Sequence, residues 1–357
     1  MSTSQTSWHP LRALGLLVIA AVLALGAMVP GMAFAQGDAV DCTEWSSETL
    51  QIMAPAAPGG GWDSTARELA RALQEEGIVE NVEVFNVEGA GGTIGLAELV
   101  NTHAGDGHMA MVMGLVMIGG IGLNESPVTL EQVTPLARLT TEFEVIVVPA
   151  DSPYETIDDL MAAFQEDPGA VSWAGGSAGG TDHLLVGLLA QSQGIDPTLI
   201  NYVPFSGGGE ALSALLGGQT TAGVSGLGEW QAQIESGDLR ALALSGRADS
   251  GDATPVAGGA TPEAFGADIP TLQESGIDIE LANWRGIVAP PEISEEDQAC
   301  LNQAIEAAVN SETWQNTLRS MGWTGFYLGG EEYVAFIQSE IERVNTILTD
   351  LQLIGGE

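Results

Sequence analysis

From residue 50 onward the chain alternates between short apolar runs and amphipathic stretches. The runs at 50–53, 82–87, 109–113, 145–148, 171–173, 200–203, 221–224, 239–244 and 286–288 read as strands. Between them, 63–74 carries Ala66, Leu69, Ala70 and Leu73 on one face at helical spacing, and 182–193 carries Leu184, Leu185, Leu188 and Leu189. Beyond Ser294 the pattern is helical throughout, over 297–309, 313–321 and 331–351. Such alternation predicts an α/β fold of mostly parallel sheets covered by helices, with ligands at the carboxyl ends of strands. There are no tandem repeats. The stretch 250–266, rich in Gly, Ala, Thr and Pro, reads as a flexible surface insertion.

The joints between strands and helices are glycine-rich, and none contains a basic residue. They are Pro58-Gly59-Gly60-Gly61-Trp62-Asp63, Gly89-Ala90-Gly91-Gly92-Thr93, Gly175-Gly176-Ser177-Ala178-Gly179-Gly180-Thr181 and Ser206-Gly207-Gly208-Gly209. A helix start carries unpaired N–H groups and about half a positive charge. Glycine lets that backbone approach a ligand closely. Several such starts aimed at one cleft make an anion site without a basic side chain.

The N-terminus has a different pattern. Arg12 precedes an uncharged apolar run over 13–29, followed by Ala33-Phe34-Ala35. This predicts a secretory signal peptide over 1–35, with Gln36 as the mature start and a periplasmic or extracellular destination; the competing reading is a retained anchor. Export would bring Cys42 and Cys300 into an oxidising compartment, where they either pair or remain two thiols, one of them in the core. Pairing is the expectation, because an exposed free thiol is a liability there.

Charge narrows the partners. Nine arginines, no lysine and 48 acids give a formal net charge of −39. Nucleic acid and anionic membranes are excluded on electrostatic grounds. The acids are dispersed and apolar content is 45%, as in a folded protein adapted to high salt rather than a disordered acidic one.

Two catalytic look-alikes need weighing. The segment 175–179 matches G-x-S-x-G between a strand and a helix, so a serine hydrolase is the alternative function. Of His9, His103, His108 and His183, only His183 follows Ser177, and it lies in the helix the elbow itself starts, so the usual triad lacks a base. His183 reads as a structural hydrogen-bonding residue. The loop after 82–87 has G-x-G-x-x-x-G spacing, and the strand 109–113 ends in Gly114-Leu115 without a ribose-binding acid, so no dinucleotide is expected. No catalytic residue, cofactor or metal is predicted.

Taken in order, the motifs resemble the periplasmic tricarboxylate-binding receptors of the tripartite tricarboxylate transporter family, also called Bug proteins. Its signposts are 55–63 with Ala66-Arg67, 86–95, 176–183, 202–209, Leu216-Gly217-Gly218-Gln219, 269–276 and Ala289-Pro290-Pro291, over about 50–353. The resemblance implies a two-lobed, type II periplasmic-binding fold, each lobe a mixed, mostly parallel sheet flanked by helices. It implies a monomer that captures a small carboxylate and delivers it to integral-membrane permease subunits driven by ion gradients. The expected lobes are 36–143 with 285–357, and 144–284. The expected ligand contacts are Gly59, Gly60, Gly61, Trp62, Asp63 and Gly114 on one lobe, and Ser177, Gly179, Gly180, Thr181, Ser206, Gly207, Gly208 and Ser225 on the other. Two departures bear on ligand identity: Ser206 follows Phe205 where relatives commonly have a lysine, and Trp62 replaces a small or hydroxyl residue. Arg285, at the return crossing, either reaches the ligand or pairs with an acid.

Overall fold

The structure, a computed structural model, describes residues 40–247 and 266–355. The predicted signal peptide and residues 250–265 of the predicted insertion lie outside the described residues. In chain order the elements are β1 (Thr49–Ala54), α1 (Gly61–Glu75), β2 (Asn81–Asn86), α2 (Thr93–Thr102), β3 (Met109–Gly114), α3 (Leu115–Leu123), β4 (Thr134–Pro149), α4 (Ile157–Glu166), β5 (Ser172–Gly175) and α5 (Thr181–Ser192). There follow β6 (Asn201–Pro204), α6 (Gly208–Leu216), β7 (Ala222–Gly226), α7 (Leu227–Ser236), β8 (Leu239–Leu244), β9 (Ala282–Ala289), α8 (Glu295–Val309), α9 (Glu312–Met321), β10 (Thr324–Gly329) and α10 (Gly330–Asp350). Among the described residues no helix is long and apolar enough to cross a membrane.

The strands lie in the order β2-β1-β3-β9-β4-β7-β5-β6, with β8 and β10 also paired to β4. Pairing is parallel among β1, β2 and β3 and among β5, β6 and β7. The antiparallel pairings all involve β4 or β9. Strand β4 joins the two groups: it pairs with β9 up to Phe143 and with β7 from Glu144.

Packing follows the sequence pattern. The α1 face predicted from spacing is buried: Ala66, Leu69 and Leu73 are 0% exposed and Ala70 is 5%. Each buried leucine contributes about 1.5–3 kcal/mol relative to an exposed one. A separate apolar cluster of Val145, Val147, Ala174, Leu215 and Trp230 packs α6 and α7 against β4 and β5. A disulfide between Cys42 and Cys300 ties the segment before β1 to α8.

Two elements differ from the pattern reading. Strand β4 begins eleven residues before the apolar run 145–148, because its first part buries polar side chains. Arg138, Thr140, Thr141 and Glu142 are all at most 8% exposed. The Arg138 guanidinium is covered by the rings of Phe326 at 3.8 Å and Phe336 at 4.5 Å. The tail is also not wholly helical: β10 lies between α9 and α10 and pairs with β4. Gly322, at φ 67, ends α9 in the left-handed conformation and frees the next residues to extend.

Candidate functional site

Helices begin in two ways here. Helices α4, α8 and α9 start at Thr156, Ser294 and Ser311, whose side chains accept from first-turn N–H groups. Helices α1, α2, α6 and α7 start at Gly60, Gly92, Gly207 and Gly226, which offer no side-chain cap. All four of these glycines line one cavity of about 290 Å³. Four uncapped starts therefore converge here, whereas the uncapped starts of α3, α5 and α10 at Gly114, Gly180 and Gly329 and the hydroxyl-capped starts do not line the cavity.

Of the residues expected from sequence, Gly60, Gly61, Trp62, Ser177, Ser206, Gly207, Gly208 and Ser225 line this cavity. Gly59, Asp63, Gly114, Gly179, Gly180 and Thr181 do not; they hold the wall from behind. The Asp63 carboxylate accepts from Gly59 N at 2.8 Å, Asn86 Nδ2 at 2.9 Å and Arg67 Nε at 2.9 Å. Burial raises its pKa, but these donors together hold it below the ordinary value. Gly114 packs against the Trp284 carbonyl, and a Cβ on Gly119 would overlap the Gly179 carbonyl. Gly180 caps α5, and Thr181 Oγ1 donates to Asn283 Oδ1 at 3.1 Å. Trp62 is 7% exposed and lies over Gly92, so it both packs and lines the cavity.

The structure adds lining residues that were not selected from sequence. The loop before α2 contributes Glu88, Gly89, Ala90 and Gly91. Four successive residues there have positive φ: Gly89 at 126°, Ala90 at 51°, Gly91 at 63° and Gly92 at 89°. Ala90 is the costly member, since an L side chain resists this region. Asp182, Glu229, Asn283 and Arg285 complete the floor. A readable signal did exist, in that an acid follows three of the four glycine loops and ties each back. Gly59 N donates to Asp63, Gly176 N to Asp182 at 2.5 Å, and Ser206 N to Glu210 at 3.1 Å.

Of the two sequence readings of Arg285, the ion pair is present, and the residue also lies in the cavity lining. Its guanidinium is 3% exposed, forms an ion pair with Glu142, and lines the cavity beneath the α1 start. A Cβ on Gly61 would overlap that guanidinium, so glycine is required for their approach. Burial works against the Arg285 charge, but Glu142 and Glu229 hold its pKa above the ordinary value. Burial pushes Glu229 up to about 7 and Asp182 to about 6, with the Glu142 charge acting the same way on each. Glu144, 0% exposed, is raised strongly by burial and then by the charges of Asp182 and Glu142.

Among the described residues, His183 is not hydrogen-bonded to the elbow serine. His183 Nδ1 accepts from Gly179 N at 3.0 Å, and its ring stacks on Tyr202 at 4.3 Å. Burial lowers its pKa to about 4, so it is neutral at ordinary pH.

With this geometry in place, comparison with known proteins is informative. The sequence profile of the tripartite tricarboxylate transporter family receptor matches residues 65–353. Protein BugT of Bordetella pertussis is 28% identical over 309 residues, covering 85% of this chain and 89% of its own length. Among solved structures, the periplasmic binding protein BugD superposes with a TM-score of 0.72 at 22% identity, covering 86% of this chain and 98% of its own. MatC from Rhodopseudomonas palustris, solved with malate, gives 0.69 at 23% identity, covering 84% and 98%. A second R. palustris protein, solved with adipate, gives 0.72 at 20% identity, covering 86% and 98%.

Proposed function

This chain belongs to the tripartite tricarboxylate transporter family of receptors, and on that premise we propose that it captures a small di- or tricarboxylate in the cavity and delivers it to the membrane subunits of such a transporter. It is a periplasmic solute-binding receptor by family and fold. One observation carries the ligand class: four uncapped helix starts converge on a single cavity. Their N–H groups, the hydroxyls of Ser177, Ser206 and Ser225, and Arg285 supply donors for carboxylate oxygens. The relatives solved with malate and adipate support the same class.

The strand handover between Phe143 and Glu144 supports lobes of 36–143 with 285–357, and 144–284, with the cavity between them. The chain works as an exported monomer after loss of residues 1–35, and its dispersed acids suit high salt. It has no hydrolytic activity on this reading, which the neutral, backbone-bonded His183 supports. A thermal-shift screen of malate, adipate and citrate in molar salt tests the function. A carboxylate at about 100 times its Kd adds about 2.7 kcal/mol of stability. The purified chain should show no esterase turnover. Turnover that Ser177→Ala abolishes would establish the hydrolase alternative instead.

A further inference from the structure

Four acids crowd the cavity floor and the layer behind it, with Asp182 and Glu229 in the lining and Glu142 and Glu144 buried beneath. Glu142 and Glu144 arrive from β4, Asp182 from α5 and Glu229 from α7, while β9 supplies Arg285, the single guanidinium among the described lining residues. Arg285 is committed to Glu142 and lies 3.9 Å from Glu229. Asp182 accepts from Gly176 N, and both Glu144 carboxylate oxygens are buried without a hydrogen-bond partner, so neither acid is paired with a cation. Glu229 then remains without a cation of its own. It is also the open member of the group, with 22% of its side chain exposed against 1% for Glu142. A bound carboxylate adds one more negative charge to this floor, and like charges in a dry site cannot all stay ionised. Arg285 Nη1, buried and without a protein partner, marks where an anion oxygen is wanted.

We propose that Glu229 meets the ligand as a neutral carboxylic acid, donating its O–H to a ligand carboxylate while Arg285 donates beside it, so that capture at alkaline pH, where the free Glu229 is ionised, draws one proton from solvent. The idea deepens the carboxylate-receptor reading and rests on it. The proton forms the Glu229 O–H bond, and no other covalent bond changes. Among the charged groups that face Glu229, Glu142 and Glu144 from β4 and Asp182 from α5 favour its proton. Arg285 from β9 and the Ser225 hydroxyl, 3.4 Å away, oppose it. Burial and Glu142 already push Glu229 to about 7, and a ligand anion pushes in the same direction.

The sign follows from linkage. Below the free pKa of Glu229 the proton is already present and affinity is flat with pH. Above it, affinity falls by about tenfold per pH unit until the pKa of the complex is reached. Calorimetry on the full chain between about pH 6.5 and 9, with malate, adipate and citrate in buffers of different ionisation heat, reads both affinity and proton count. The expected result is that uptake approaches one proton per ligand at the alkaline end, and that Glu229→Gln binds there without the pH slope. Flat affinity with no proton exchange, or release of protons on binding, overturns the proposal and leaves the carboxylate reading standing. Failure of all three probes to bind at any pH sinks the receptor reading and this proposal with it. The proton count on the unsubstituted protein decides the matter even if the variant misfolds.

Discussion

At the scale of single residues, the buried acids set the pH dependence of stability. Burial pushes Asp182 up to about 6 and Glu229 up to about 7, well above the ordinary carboxylate range. The folded chain therefore holds more protons than the unfolded one between those limits, and stability falls as pH rises through them. The groups with lowered values, such as Asp63, act only below the ordinary carboxylate range. In molar salt, where repulsion among surface acids is screened, the ligand-free chain should melt several degrees higher at pH 5 than at pH 8. Glu229→Gln should flatten part of that slope. A melting temperature that climbs from pH 5 to pH 8 would contradict the assignment. None of this was legible in the sequence, because 48 acids give no hint of which few are buried. The glycines, in contrast, marked their own positions.

At the scale of elements, the hydroxyl-capped helix starts and the glycine starts that line the cavity predict different consequences of substitution. Ser294 Oγ accepts from Asp297 N at 3.0 Å, so Ser294→Ala should cost about 1 kcal/mol of stability and leave ligand affinity unchanged. Gly61 opens α1 against Arg285, so Gly61→Ala should displace the guanidinium and weaken carboxylate binding at least about tenfold. Its neighbour Gly60, at φ −81, has an ordinary contact of 3.6 Å to the Ala57 carbonyl and room for a Cβ. Chemical denaturation and calorimetry on the two variants separate the classes. Equal effects of both substitutions on affinity would erase the distinction. Element types were legible wherever apolar spacing was regular, as in α1 and β3. The first part of β4 was hidden because it carries Arg138 and Glu142 inward, where only partners that are distant in sequence make them tolerable. Strand β10 falls in the gap between the helices read at 313–321 and 331–351, inside a tail whose pattern was read as helical throughout.

At the scale of the whole molecule, the α/β class and the location of the cavity followed from the order of glycine joints, and the family comparison bears out the resemblance they carried. What the sequence lacked was the third dimension. Arg285 and the loop before α2 reach the cavity only through pairing of β9 with β3 and the approach of Gly91 to Gly120. A net charge of −39 would repel any carboxylate at low salt, yet at about 1 M salt the screening length is about 3 Å and only local groups act. The central claim is that a small carboxylate is held by neutral backbone donors and one paired arginine. Its most direct test is calorimetric titration of the full chain with malate, adipate and citrate at about 1 M and about 3 M sodium chloride. The account predicts one ligand per chain for at least one of them, with Kd changing by less than about threefold between the two salt levels. No one-to-one binding by any of the three, or a steep loss of affinity with salt, would contradict it.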